Sequence, residues 1–143
     1  MSSVVISGDT SGTVTVTVPA VAGTNTATLP AATGTVALTS DVIGISQTWQ
    51  NLTASRAVNT TYTNSTGKPI MVIVTGTGTG TVAVLQATVG GVVVAACTTT
   101  DYYSAIAATP MQQTLNFIVP NSTTYTITGQ SGSPSVQSWA ELR

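Results

Sequence analysis

The sequence predicts an all-β protein, and three observations carry that expectation. Runs of β-branched residues alternate with glycine- and proline-marked turns from one end to the other. No segment sustains a helical period between caps. Charged residues make up only 5% of the chain, while Thr, Val, Ala, Gly and Ser dominate. Valine and threonine suit a pleated, half-buried surface. A composition 42% hydrophobic with a net charge of -1 argues against disorder, which combines low hydrophobicity with high charge. A near-neutral surface tends to associate, so the same composition points to an oligomer, with a Thr-rich secreted monomer as the plain alternative.

The elements follow in order. Val4-Val5-Ile6 reads as a short strand, and Gly8-Asp9-Thr10-Ser11-Gly12 as a turn. From Gly12 to Leu38 the chain repeats with a period of eleven, each unit opening on Gly-Thr, with Pro19 and Pro30 at the same place in the two complete units. Val14, Val16 and Val18 alternate with threonines, which is the period of a half-buried strand. Thr26 to Leu29 and Thr35 to Leu38 are shorter strands. Pro19 and Pro30 cannot donate to a ladder, so each ends a strand or lies on an edge. Every aromatic residue lies after residue 45, so residues 1–45 lack a core and residues 46–143 hold one. Two full repeats are too few for a solenoid. The expectation is a short β segment over 1–45 that assembles the chain with partner copies through Val14, Val16, Val18, Pro19, Leu29, Pro30, Val36 and Leu38. One apolar stripe needs partner chains, and either two or three copies would close it.

Residues 46–143 read as strand after strand: Gln50–Thr53, Asn59–Asn64, Ile70–Thr75, Thr81–Val89, Val92–Thr98, Tyr102–Ala107, Thr114–Val119, Thr124–Thr128 and Val136–Leu142. Gly90-Gly91 between two β-branched runs signals a two-residue hairpin. Gly76-Thr77-Gly78-Thr79-Gly80 reads as a flexible turn, because it lacks the Lys-Ser/Thr ending of a phosphate loop. About eight short strands at regular spacing predict a jelly-roll-like β-sandwich. In the strand ending at Val119, Leu115 and Phe117 face the core and Ile118 faces out, where an interface would suit it.

The chemistry of the side chains excludes much. There is no histidine, so Ser-His-Asp and Cys-His catalysis and histidine metal sites are out. Asp101 and Glu141 are the one carboxylate pair in the second part, and ion pairing is the simpler role for them. Cys97 is the single cysteine, in a strand context typical of a small buried hydrophobe. Three basic residues give little purchase on nucleic acid. The longest apolar run, near Val89 to Cys97, is too short to span a bilayer, and no signal peptide opens the chain. Four Asn-x-Ser/Thr sequons, at Asn51, Asn59, Asn64 and Asn121, follow from composition. No enzyme activity and no cofactor is expected. Trp49 and Trp139 are expected to be buried, as anchors of the sandwich or of a subunit contact; exposed, they would stack on sugars. Arg56, a lone cation in a neutral stretch, is expected either to pair with a carboxylate such as Glu141 across a subunit boundary or to be solvated.

Two sets of residues also carry a resemblance. Pro19-Ala20-Val21-Ala22-Gly23-Thr24-Asn25-Thr26-Ala27-Thr28-Leu29-Pro30-Ala31-Ala32-Thr33-Gly34-Thr35 resembles a linker of tail-fibre and other structural proteins of tailed bacteriophages. Gln47-Thr48-Trp49-Gln50-Asn51, Ala54-Ser55-Arg56-Ala57, Thr61-Tyr62-Thr63-Asn64-Ser65-Thr66-Gly67-Lys68-Pro69-Ile70-Met71-Val72 and Trp139-Ala140-Glu141-Leu142-Arg143 are similar to a module that follows it. Gly76 to Pro120 carries no such motif. The resemblance implies a homotrimeric virion protein made in a host cytoplasm. Two functions are then expected: a short head fibre or capsid-decoration (cement) protein docked through its N-terminal segment, or a receptor-binding tail-fibre tip that recognises a bacterial surface glycan. The short stretch before the linker favours the first, and its partners would be other virion proteins. Trp49, Arg56 and Trp139 are the candidate interface or glycan contacts.

Overall fold

A computed structural model describes residues 3–21, 23–26, 31, 33, 42–77, 82–99 and 112–143. The chain forms two compact units, Met1–Thr35 and Val36–Arg143. Leu29, Pro30, Val36 and Leu38, and the strand expected over Tyr102–Ala107, lie outside the described residues.

In the first unit, strands β1 (Ser3–Ser7) and β2 (Thr13–Thr17) pair antiparallel. The loop between them closes with the Gly8 amide donating to the Gly12 carbonyl at 2.9 Å, and Gly12 takes a left-handed φ of 83° that a side chain would resist. Val4 sits opposite Val16 and Ile6 opposite Val14, so these four share one face. The half-burial expected of this strand is not reached within one chain: Val14 is 66% and Val16 57% exposed. Two strands offer a face but no second layer to cover it.

The second unit is sandwich-like, with two four-stranded sheets packed face to face. One sheet has the order β3 (Trp49–Asn51), β10 (Ser135–Leu142), β5 (Ile70–Thr77), β8 (Gln112–Val119). The other has the order β4 (Thr61–Thr63), β9 (Thr124–Ser131), β6 (Ala83–Val89), β7 (Val92–Thr99). All pairs are antiparallel. A 3-10 turn, Thr53–Ser55, links β3 towards β4.

Alternation decides what fills the space between the sheets. Ile70, Val72 and Val74 of β5 meet Leu115, Phe117 and Val119 of β8 from one side, and Leu85, Ala87, Tyr125 and Ile127 approach from the other. Trp139 lies in the middle, fully buried. Cys97 is half-buried against this core, and burial pushes its thiol up, as expected of an inert cysteine. Gly90 and Gly91 form the β6–β7 turn with φ of 57° and 83°, the left-handed pair that a tight hairpin requires.

One reading needs correction. Gly76 and Thr77 belong to β5, not to a flexible turn. A β-carbon on Gly76 would lie 2.2 Å from Leu85 Cδ1, so the glycine makes room for the opposite sheet. Ile45 lies in the second unit, where its carbonyl accepts from Lys68 Nζ at 2.9 Å.

Candidate functional site

The residues that marked the second module converge on one buried carboxylate. Glu141 sits on β10 at an inward position and is fully buried. Five donors surround it. Oε1 accepts from Arg56 Nε at 3.0 Å, Tyr125 Oη at 2.5 Å and Trp139 Nε1 at 3.0 Å. Oε2 accepts from Arg56 Nη2 at 3.3 Å and Arg143 Nη1 at 3.0 Å. Trp139 and Arg143 lie two residues either side of Glu141 on the same face of the strand, which is why all three side chains meet. Arg56 arrives from the loop after the 3-10 turn and lies 4.4 Å from the centre of the Tyr62 ring. Tyr62 in turn packs edge-on to Trp139 at 6.0 Å and accepts from the Ala57 amide at 2.9 Å.

The electrostatics follow from this geometry. Burial pushes the Glu141 carboxyl up. The hydrogen bonds from Arg56 and Tyr125, the Arg56 charge and the Trp139 N–H outweigh that effect and hold it below the usual carboxylate range. Burial and the same carboxylate both push the Tyr125 hydroxyl up, so it remains a donor at neutral pH. Arg56 loses to burial but gains more from Glu141, and its guanidinium is raised. Both carboxylate oxygens are thus occupied by protein donors. The arrangement binds sheet to sheet and holds loop 52–60 against the last strand.

A second polar post stands at Asn64, which is buried to 1% exposure. Its Nδ2 donates to the carbonyls of Lys68 at 2.7 Å, Val119 at 3.0 Å and Pro120 at 3.1 Å, while Oδ1 accepts from Thr66 N at 3.2 Å and Thr66 Oγ1 at 2.8 Å. This ties loop 64–69 to the β8–β9 turn. Gln47 acts similarly, with Nε2 donating to Pro69 O at 2.9 Å and Leu142 O at 3.3 Å. The motif residues Gln47, Arg56, Asn64, Trp139 and Glu141 are therefore framework.

That outcome revises the candidate contacts. Trp139 has no exposed surface and cannot stack on a sugar or touch a partner. Arg56 does pair with Glu141, but within one chain rather than across a boundary. Trp49, expected to be buried, is 51% exposed on the edge strand β3. Its register partner Leu142 faces outward, so Trp49 does too. Of the assembly residues, Val14, Val16 and Val18 all present exposed side chains on the hairpin and its continuation, and Pro19 is exposed beside them. Sequence reading missed Asn64 as a buried post, because a sequon in a polar stretch looks like a loop tip. A small uncharged depression of about 280 Å³ lies beside Val58, Asn59, Gly129 and Pro134. Among the described residues no group of three or more His, Cys, Asp or Glu side chains is placed to hold a metal, and no helix is long and apolar enough to cross a membrane.

Comparison with protein-family models, with curated proteins and with solved structures gave no match.

Proposed function

We propose that this chain is a non-enzymatic structural protein of a tailed-phage virion, a short trimeric head fibre or capsid-decoration protein that docks through its N-terminal segment. The observation that carries this reading is the hairpin face. Val4, Ile6, Val14, Val16 and Val18 are all at least half exposed, in a two-stranded sheet too thin to stand alone. Three such faces close on one another around a threefold axis without leaving an apolar side in water. The sandwich carries its own core, of jelly-roll type in this reading, and needs no such help. The phage-like linker and module motifs supply the virion setting, with synthesis in the host cytoplasm and other capsid or tail proteins as partners. No cofactor and no chemistry is assigned.

A second reading, the glycan-binding tail-fibre tip, is favoured by the exposure of Trp49 at a sheet edge, where an indole can stack on a sugar ring. Locating the protein in a virion reconstruction separates the two. Density on the capsid lattice supports decoration; density at the tail tip with none on the capsid rejects it. In solution, glycan binding by the intact chain that disappears in Trp49→Ala would favour the tip.

A further inference from the structure

Strand register brings together a surface that no single stretch of sequence displays. Trp49 pairs with Leu142, Leu142 with Met71, and Met71 with Ile118. Register partners share a face. These four residues therefore form one row across all four strands of the first sheet, β3-β10-β5-β8, on its outer side. The row is about 14 Å long at the usual spacing between strands. Its ends are open, with Trp49 51% and Ile118 55% exposed. The next outward row holds Ala140 and Ile73 between Asn51 and Asn116. No outward position in these rows is charged.

The outer face of the second sheet is different. Its registered outward positions include Thr61, Thr126 and Thr88, with Thr61 and Thr126 joined hydroxyl to hydroxyl at 2.9 Å. The first sheet's outer side also carries a threonine pair, Thr75 and Thr114 at 3.0 Å, and the second an exposed Val93 beside Thr88, but only the first has a row that is apolar across all four of its strands. An apolar row containing Trp and Met and lacking charge is the composition of an interface centre.

Size and charge identify the occupant. The hairpin face measures roughly 17 Å by 10 Å, or on the order of 170 Å². A stable contact takes about 800 Å² from each partner. The hairpin face falls well short by itself, and the outer side of the first sheet, roughly 500 Å² in plan, supplies much of the difference. An uncharged surface can meet its own copy without like-charge repulsion, and homo-oligomers are the commonest assemblies. We infer that the Trp49–Leu142–Met71–Ile118 face is the contact between the sandwiches of neighbouring copies of this chain. The inference rests on the homo-oligomeric reading above and adds a second contact, separate from the hairpin.

The test is sedimentation of the intact chain over a range of concentrations, with the fold of each variant checked by its urea transition. Ile118→Arg and Trp49→Ser probe opposite ends of the row, Val16→Arg probes the hairpin, and Thr124→Arg on the threonine face is the control. The wild type should associate, and Ile118→Arg and Trp49→Ser should each weaken association at least about tenfold while Thr124→Arg does not. If both row variants associate like wild type while Val16→Arg dissociates, the inference is overturned and the hairpin reading stands. If the row variants dissociate and Val16→Arg does not, the inference stands and the hairpin reading fails. A monomeric wild type overturns both. Intact assembly in both row variants, with bacterial-surface polysaccharide binding lost only in Trp49→Ser, overturns the inference in favour of a glycan site.

Discussion

The hairpin and the sandwich are built from the same alphabet of valine and threonine, yet they treat valine in opposite ways. Val72 and Val74 of β5 are wholly buried, whereas Val14 and Val16 of β2 stand mostly in water. Both strands alternate, both pair antiparallel, and neither contains a charge. The difference is the second layer. β5 faces Leu85 and Ala87 of the opposite sheet, and among the described residues of its own unit β2 has no second sheet facing it. Alternation dictates which residues share a face, and only a partner layer turns that face into a core. Polar residues divide the same way. The sandwich gathers Arg56 and Arg143 on the buried Glu141, while Asp9 of the hairpin loop is exposed.

The contrast can be broken most severely at Glu141. Glu141→Ala leaves two guanidinium groups, a phenol and an indole N–H without their acceptor, and should destabilise the sandwich by about 3–5 kcal/mol in urea unfolding. A midpoint unchanged from wild type would show that the network is ornamental. Asn64→Ala comes next. It strips the bridging amide from buried carbonyls and should cost about 1–3 kcal/mol, read in the same way.

Acid acts on the same network more gently. The Glu141 carboxyl is lower in the folded chain than its ordinary value of 4.5, so the unfolded chain takes up the proton first. Its contribution is fully present above that value and is lost as pH falls below it towards the lowered folded pKa. Urea midpoints measured from pH 7 to pH 3 should fall more steeply in wild type than in Glu141→Gln; parallel curves would contradict the assignment. The smallest effect on stability is expected in the hairpin. Val14→Asp should leave the sandwich transition within about 0.5 kcal/mol of wild type, while association of the intact chain falls.

How much of this was legible in the sequence depended on whether a feature is local. Alternation in Thr13–Val18, the β-branched runs and the Gly90-Gly91 turn are local, and they give strands and a hairpin where expected. Arg56 and Glu141 could be paired on paper because charges are so scarce in this chain. Whether they meet within one chain or between two depends on the sheet order, in which the last strand β10 lies between β3 and β5. The buried state of Trp139 and the exposed state of Trp49 differ for the same reason: one occupies an inward position on a central strand, the other an outward position on an edge. Gly76 looked like part of a loose turn because its neighbour in space, Leu85, is invisible from Gly76-Thr77-Gly78. The outward row from Trp49 to Ile118 draws on four strands whose register no linear pattern encodes.

The division of labour between the two units is tested most directly by deleting residues 1–35 and measuring the mass of the remaining chain beside that of the intact one by sedimentation, across the same concentrations. If the hairpin is the assembly stem, the intact chain runs as a trimer, while the shortened chain keeps the urea transition of the sandwich and dissociates at concentrations where the intact chain holds. A shortened chain that stays trimeric as tightly as the intact one would contradict that role.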